Sequence, residues 1–391
     1  MKANNRGKSS NNLLHPNQPT FIYDINKPWE EVIKSEPIWL SQKFPPRPKL
    51  YCFLGHTLIS PVVIAAGPAS GKIWTDFYFK MGYGAVIQKT MRTAPRSSNL
   101  APNIAIVKAS KPIARNSLGQ TMHATMNQDE YPKFQSITNS FGNPSPLLST
   151  WANELKEQKK GVNPGQLLGC SVTASIGENS SCSVIFGENP PISQVLEVAT
   201  DLLTAASVAV TSGADFVELN LACPNVMENT EESEMFQNAK LIQYTLEEFK
   251  KRFPNIPIGF KFGLYKDKDQ MKRVFAQAGD NLDYVSGINA LAMPVEAEDG
   301  KDILPGRKKS GVCGRVIKDI ALEHIEWASQ IREEEGLKYE ILGGGGILES
   351  EDVDKFLNLG ANAVQVATVA LTNPLFAHQY SLHTQYQSHA N

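Results

Sequence analysis

The sequence predicts an α/β fold in which eight short apolar strands alternate with amphipathic helices and close into a (β/α)8 TIM barrel. The first observation is a repeating order of apolar run, loop and helical pattern that begins near residue 60. The second is the number of runs, because eight strands that alternate with helices pair in parallel and close most economically as a barrel. The third is the length of 391 residues, which one barrel domain accommodates. The predicted strands are residues 62–65, 85–88, 167–173, 216–219, 258–260, 284–288, 340–342 and 363–366, with helices that include 195–211, 317–334 and 352–359.

Two segments lie outside this repeat. Residues 1–57 precede the barrel domain, which we place at residues 58–391. Residues 1–20 are rich in Asn, Ser and Lys and are predicted to be disordered. Residues 21–57 are predicted to pack on the barrel as an extension. The second segment is an insertion from residue 94 to about residue 140, which we expect at the mouth of the barrel.

Composition excludes several classes of protein and partner. The formal net charge is −2 and gives no reason to expect nucleic acid or an anionic membrane surface as a partner. No apolar run is expected to form a membrane helix, and the first residues lack the apolar core of a signal peptide. The cysteines at 52, 170, 182, 223 and 313 are odd in number and form no CxxC pair, so neither a disulfide framework nor a metal or iron–sulfur site is expected. We therefore expect a cytoplasmic protein that acts on a small molecule.

Polar residues stand where the predicted strands end, and the active sites of such barrels lie at that rim. Lys89 and Lys261 each directly follow an apolar strand, and a buried lysine is costly unless it meets an anion. The alternative, a surface lysine whose stem packs on apolar neighbours, is weaker because both lysines share this placement. Residues 220–225 present two amides and a thiol on one loop, which indicates proton chemistry on a polar, amide-like substrate. An isolated cysteine is more often a small core residue, and exposure and pKa decide between the two interpretations.

Glycine-rich turns near the C-terminus indicate a phosphate site. Residues 343–347 follow a strand and precede a helical run, and residues 360–368 add a second strand and turn. Glycines let backbone N–H groups approach an anion, and phosphate binding after the last two strands is typical of this fold. We expect a third turn, at residues 310–314, to add further backbone amides.

These residues resemble the dihydroorotate dehydrogenase family of FMN-dependent barrels. The likeness runs from about residue 54 to residue 371 and is strongest at residues 220–225, where Asn-Leu-Ala-Cys-Pro-Asn is similar to the family's N-L-S-C-P-N loop. Residues 139–142, Asn-Ser-Phe-Gly, resemble the family's N-S-x-G substrate loop. Residues 116–119 show the same pattern farther upstream, and we prefer residues 139–142 because a helical run and the next strand follow them.

The resemblance implies an enzyme with FMN as cofactor that interconverts dihydroorotate, or a related cyclic amide, and its unsaturated form. Cys223 would be the general base, as in the soluble branch of the family, whereas the membrane-associated, quinone-using branch has serine there. Hydride would pass from the neighbouring carbon to flavin N5. The implied substrate-binding residues are Lys89, Asn139, Asn220, Asn225 and Asn289, and asparagines match the alternating C=O and N–H edge of a cyclic ureide. The implied cofactor-binding residues are Ala66, Gly67, Lys89, Thr90, Lys261, Gly314, Gly345, Gly346, Ala367 and Thr368.

The chain departs from the family pattern at three alanines, and other functions stay open. Ala66, Ala222 and Ala290 stand where serine or threonine is usual, and Ala290 lacks a hydroxyl that would bind substrate. A dihydropyrimidine-type base reductase is one alternative, although such enzymes usually carry His where Asn225 stands and rely on iron–sulfur domains. A non-catalytic phosphate- or flavin-binding barrel is another, and a flavin 2-hydroxy-acid oxidase would need a His and Arg pair at a strand end. The electron acceptor (fumarate, NAD through a partner subunit, quinone or oxygen) is open. The oligomeric state is open as well, and a homodimer is one possibility because soluble members of the family are commonly dimers.

Overall fold

Eight parallel strands close into a barrel in the computed structural model, which describes residues 21–37, 50–68, 70–175, 190–223 and 232–390. The strands in chain order are β1 (Tyr51–Phe53), β2 (His56–Leu58), β3 (Val62–Ile64), β4 (Ala85–Met91), β5 (Ile104–Val107), β6 (Met122–Thr125), β7 (Ser136–Asn139), β8 (Leu167–Val172), β9 (Phe216–Asn220), β10 (Ile258–Lys261), β11 (Tyr284–Gly287), β12 (Leu291–Glu296), β13 (Lys309–Gly314), β14 (Glu340–Gly344) and β15 (Ala363–Val366). The barrel runs β3-β4-β8-β9-β10-β11-β14-β15 and closes back on β3, with parallel pairing throughout. The predicted (β/α)8 TIM barrel is therefore confirmed.

A helix follows each barrel strand. The helices are α1 (Trp29–Val32), α2 (Gly71–Lys80), α3 (Tyr131–Phe134), α4 (Leu148–Lys159), α5 (Ile192–Thr211), α6 (Ala239–Arg252), α7 (Lys268–Ala278), α8 (Lys318–Glu334), α9 (Ser350–Asn358), α10 (Thr368–Thr372) and α11 (Phe376–Ala390). The predicted helices over 195–211, 317–334 and 352–359 correspond to α5, α8 and α9, shifted by a few residues at their ends. Because every strand points the same way, the carboxyl ends of all eight meet at one rim.

Several barrel strands run farther than the sequence predicts. Lys89 and Thr90 lie inside β4, while Asn220 and Lys261 are the last residues of β9 and β10. The expectation that both lysines follow their strands is therefore wrong by a few residues. Side chains of a β-strand alternate between its two faces, so residues 85, 87 and 89 of β4 all face the barrel interior. A polar side chain at position 89 therefore continues this inward-facing row and does not end the strand.

Apolar side chains fill the amino-terminal end of the barrel. Phe216 and Tyr284 open β9 and β11, and their rings meet edge to face at a centroid distance of 5.7 Å. The β1–β2 hairpin inserts Phe53 against both rings, at 6.1 and 6.0 Å. Glu340 accepts a hydrogen bond from the backbone N–H of Leu54 at 2.9 Å and fixes the hairpin across this end. Packed side chains fill this end in the part of the chain that the structure describes, so we look for a ligand site at the opposite rim.

A second, five-stranded closed sheet stands at that rim. The insertion supplies β5, β6 and β7, and the long connection after β11 supplies β12 and β13. The prediction of a glycine turn at residues 310–314 is wrong, because these residues form β13, which pairs with β12 on one side and β7 on the other. The turn begins only at its end, where Gly314 has φ +95 and a Cβ would lie 2.4 Å from the carbonyl oxygen of Gln135.

The expectation that no apolar run could form a membrane helix needs correction. In the part of the chain that the structure describes, α5 is long and apolar enough to cross a membrane by length and composition alone. Half of that window is buried in the protein, and Val195, Leu202 and Ala209 are among its buried side chains. This burial is the behaviour of a core helix packed on the barrel.

Candidate active site

One cavity opens at the carboxyl ends of the barrel strands and encloses about 1100 Å³ of empty space, part of it continuous with solvent. It brings together all the site residues proposed from the sequence except Thr90 and Asn225. The predicted site residues that line the cavity are Ala66, Gly67, Lys89, Asn139, Asn220, Cys223, Lys261, Asn289, Gly314, Gly345, Gly346, Ala367 and Thr368. Asn225 lies outside the described residues. The individual roles of these residues stay predictions.

Three amides of the cavity are held in fixed orientations. Asn220 donates from Nδ2 to Oγ1 of Thr90 at 2.8 Å. Thr90 does not line the cavity itself and instead orients the amide of Asn220, which does. Asn289 donates from Nδ2 to Oδ1 of Asn220 at 3.2 Å, and its own Oδ1 accepts from the N–H of Ala290 at 2.9 Å. Asn139 ends β7 and donates to the carbonyl of Gly311 at 3.4 Å. An array of amides with both donors and acceptors can bind a ring whose edge alternates in the same way.

The structure also distinguishes the two asparagines that carry the N-S-x-G pattern. Asn139 lines the cavity, where the paired strands β5, β7 and β13 hold its backbone. Asn116 lies exposed in a single 3₁₀ turn at Arg115–Ser117. The preference for Asn139 as the cavity amide therefore agrees with the geometry.

Cys223 and Lys89 lie close together at one side of the cavity. Cys223 is three residues past the end of β9 and is 6% exposed, so its thiol faces the cavity rather than bulk solvent. Burial lowers the pKa of Lys89 from 10.5 to about 8, and the charges of Arg92 and Lys261 act in the same direction, whereas the charge of Cys223 opposes them. The ammonium of Lys89 lies 5.6 Å from the ring centre of Phe141. Near neutral pH, Lys89 therefore presents a buried positive charge to a ligand.

A buried ion pair supports Lys261 at the centre of the barrel. Its Nζ lies 3.6 Å from Oε1 of Glu218, a carboxylate with no exposed surface. Ser286 donates to the other oxygen, Oε2, at 2.6 Å. Glu218 stands two residues before Asn220 on β9, so it faces the same interior one layer below. The pair keeps a cation fixed at the floor of the cavity.

The glycine turn after β14 has the shape of an anion cradle. Gly345 and Gly346 have φ values of +118 and +76, which favour glycine. A Cβ on Gly345 would lie 2.7 Å from Cβ of Ala321, and one on Gly346 would lie 2.7 Å from Cβ of Lys318. The backbone therefore has to approach α8 closely, with its N–H groups available to a phosphate.

Two polar residues of the cavity escaped the sequence analysis. Gln365 is buried, and neither its Oε1 nor its Nε2 has a hydrogen-bond partner among the described residues. Asn143 is also buried, with φ +50, and its Nδ2 lacks a partner within the same ranges. An inward-facing polar residue on β15 is the signal that would have found Gln365, whereas nothing in the sequence distinguishes Asn143.

These features fit a phosphorylated flavin. Glycines form a cradle that a Cβ would fill, the unpaired Gln365 amide offers a donor and an acceptor, and Lys261 offers a cation. A flavin mononucleotide carries the complementary groups: an anionic phosphate and a ring with alternating polar atoms. The residue types present in the cavity therefore fit the chemical groups of FMN.

Comparison with known proteins gives the family. A family model described as dihydroorotate dehydrogenase matches residues 51–381. A dihydroorotate dehydrogenase from Dictyostelium discoideum is 30% identical over 370 residues, which are 91% of this chain and 95% of that protein. The catalytic subunit of dihydroorotate dehydrogenase B (NAD(+)) from Oceanobacillus iheyensis is 31% identical over 44% of this chain and 53% of its own length. The corresponding subunit from Malacoplasma penetrans is 27% identical over 60% of this chain and 72% of its own length. The chain therefore belongs to the dihydroorotate dehydrogenase family of barrel oxidoreductases, which act on a CH–CH group.

Proposed function

We propose that this chain is an FMN-dependent enzyme that oxidises dihydroorotate, or a closely related cyclic amide, with Cys223 as the general base. The observation that carries the proposal is the convergence of a thiol, three oriented amides and two buried lysines in one cavity. The family match and the likeness to the Dictyostelium discoideum enzyme support the same assignment.

The residues divide the chemistry between them. Cys223, as a thiolate, takes the proton from the carbon next to the substrate carbonyl and becomes a thiol. When bound, FMN supplies the acceptor for the hydride that leaves the neighbouring carbon, so that a C=C bond forms. Asn139, Asn220 and Asn289 bind the polar edge of the substrate ring and so position the carbon that loses its proton next to Cys223. Lys261, kept in place by Glu218, stabilises negative charge at the centre of the site.

The charge at one side of the cavity favours an acidic substrate over a neutral ring. Lys89 carries a proton below about pH 8, and Arg92 is close enough to lower its pKa further. Arg92 is itself buried and donates from Nε to the carbonyl of Asn143 at 3.3 Å. Lys89 lines the cavity beside the substrate amides and can pair with a carboxylate, which dihydroorotate has and a dihydropyrimidine base lacks, while Arg92 adds positive charge from behind the wall. This observation ranks dihydroorotate above the base-reductase alternative.

The test is an anaerobic absorption spectrum of the FMN-loaded protein before and after dihydroorotate is added. We expect the flavin band to bleach with dihydroorotate and to persist with dihydrouracil, which has the same ring without the carboxylate. Bleaching by dihydrouracil alone would replace the proposal with a base reductase. A flavin band that neither compound bleaches would contradict the proposed substrate, and a protein that takes up no FMN would contradict the cofactor.

A further inference from the structure

Residues 21–37, called here the N-terminal strap, reach the flavin cavity from outside the family match. The family model begins at residue 51, so this segment lies outside the part of the chain that the model matches. Tyr23 nevertheless lines the cavity together with Gly67 and Pro68 of the turn after β3. Its ring also packs edge to face on Trp74 of α2, at a centroid distance of 5.6 Å. The strap therefore supplies part of the wall of the site.

The strap is fastened to the barrel beside two of the turns that we assign to the cofactor, the Gly67 turn after β3 and the Ala367 turn after β15. At one end, the N–H of Ile22 donates to the carbonyl of Leu371 at 2.8 Å, in the short helix that follows Ala367. Farther along, Trp29 donates from Nε1 to Oγ of Ser70 at 3.1 Å, at the start of α2 and just past the Gly67 turn. The strap thus bridges the two turns across the cavity.

Other contacts hold the strap rigidly. Trp74 donates from Nε1 to the carbonyl of Val32 at 3.1 Å, within the buried core. The carboxylate of Glu30 accepts two hydrogen bonds from Ser98 of the insertion, at 2.8 Å from the N–H and 2.7 Å from the hydroxyl. Burial acts to raise the pKa of Glu30, but these hydrogen bonds outweigh it and lower the pKa. A carboxylate that stays ionised keeps the strap tied to the insertion as well as to the barrel.

The strap also encloses a side chamber of about 290 Å³ against the barrel. Trp29 and Val32 of the strap line it, and it shares Tyr23, Lys89 and Phe141 with the main cavity. Burial raises the pKa of Tyr23, so its hydroxyl stays neutral. The uncharged aromatic side chain of Tyr23 therefore lines both the main cavity and the side chamber.

We propose that the N-terminal strap is part of the cofactor site, with the ring of Tyr23 covering the flavin and holding it against release. An aromatic side chain pinned at the cavity wall removes apolar flavin surface from water at little conformational cost. The anchors beside two cofactor turns, those of Gly67 and Ala367, favour the flavin, rather than the substrate, as the ligand under the strap. The inference rests on the FMN assignment of the proposed function and on no property of the substrate.

The test measures flavin release without any substrate. FMN-loaded wild type and Tyr23→Ala are diluted, and the return of free-flavin fluorescence gives the dissociation constant and the release rate. We expect Tyr23→Ala to raise the dissociation constant about tenfold. Trp29→Phe, which loses the hydrogen bond to Ser70 and part of a buried ring but leaves Tyr23 in place, should accelerate release by a smaller factor. Lys27→Ala is the matched control, because its ion pair with Glu31 lies on the exposed side of the same segment.

The outcomes separate this inference from the proposed function. A wild type that retains FMN, with a folded Tyr23→Ala variant that releases it no faster, would overturn the inference and leave the proposed function intact. Accelerated release from Lys27→Ala equal to that from Tyr23→Ala would also overturn it, since the effect would then be unrelated to the cavity wall. A wild type that takes up no FMN would instead overturn the proposed function.

Discussion

Replacing Lys89 by methionine should stabilise the FMN-free protein while impairing the site. Lys89 is 6% exposed, and burial lowers its pKa from 10.5 to about 8. At about 1.4 kcal/mol per pH unit, this difference means that the buried charge destabilises the folded protein by about 3 kcal/mol. Lys89→Met also removes the contact with Phe141, worth about 1 kcal/mol. The expected net gain is therefore about 2 kcal/mol near neutral pH.

The pH dependence gives the sharper test of this reasoning. Below about pH 8, Lys89 is protonated in both the folded and the unfolded protein, so the folded state bears the full penalty. As the pH rises from 8 towards 10.5, the folded state releases the proton first, the penalty disappears, and the advantage of Lys89→Met shrinks. Urea unfolding of both proteins at about pH 7 and about pH 10 measures the two gains. Lys80→Met, at an exposed lysine, serves as the control. A variant that is no more stable than wild type near pH 7, or whose gain is equal at both pH values, would refute the electrostatic account.

Two further substitutions test the cofactor cradle and the amide that the sequence did not reveal. Gly345→Asp should purify without FMN, because it places a carboxylate in the cradle, strains a φ of +118 and brings a Cβ within 2.7 Å of Ala321. Gly300→Asp, at a positive-φ glycine with open space around it, should stay yellow, and a fully yellow Gly345→Asp would remove the phosphate assignment. Asn143→Leu should weaken orotate binding about tenfold, since its unpaired Nδ2 would donate to the ligand. Titration of the flavin spectrum with orotate measures this, and an unchanged affinity would exclude Asn143 from the substrate contacts.

The barrel itself could be predicted because its signals are local. Each of the eight apolar runs corresponds to a barrel strand, and the helices between them follow from their own periodicity. The strand ends were less accurate, because Lys89, Asn220 and Lys261 are polar residues inside strands. Polarity normally ends an apolar run, but the interior of this barrel rim is where ligands bind, so polar side chains continue the inward-facing rows there.

The second sheet could not be predicted because two of its pairings, β13 with β7 and β12 with β6, join segments far apart in the chain. Residues 309–314 contain two glycines and resemble a turn, yet they form the strand between β12 and β7. The strand at residues 136–139 with which they pair lies far away in the chain, and no local sequence pattern predicts that pairing. The same sheet carries Asn139 into the cavity, so this site residue was found through its motif and not through its structural element.

The site was predictable where residues carry a motif and was missed where only the fold brings them in. Cys223, Asn139 and Asn220 stand in short, recognisable sequence motifs. Gln365 and Asn143 are recognised as site residues only in the folded protein, where their buried amide atoms lack hydrogen-bond partners among the described residues. Tyr23 lies more than 40 positions before Gly67 in the printed sequence, and only the folded strap brings the two together.

The most direct test of the account is the rate at which dihydroorotate reduces the flavin of Cys223→Ala in an anaerobic stopped-flow experiment. The variant should bind FMN as wild type does, because Cys223 is assigned to the proton and not to the cofactor. Its flavin should be reduced roughly 10²–10⁴-fold more slowly, which is the range that a positioned base contributes. Reduction at the wild-type rate would contradict the assignment of Cys223 as the base and, with it, the mechanism proposed for this cavity.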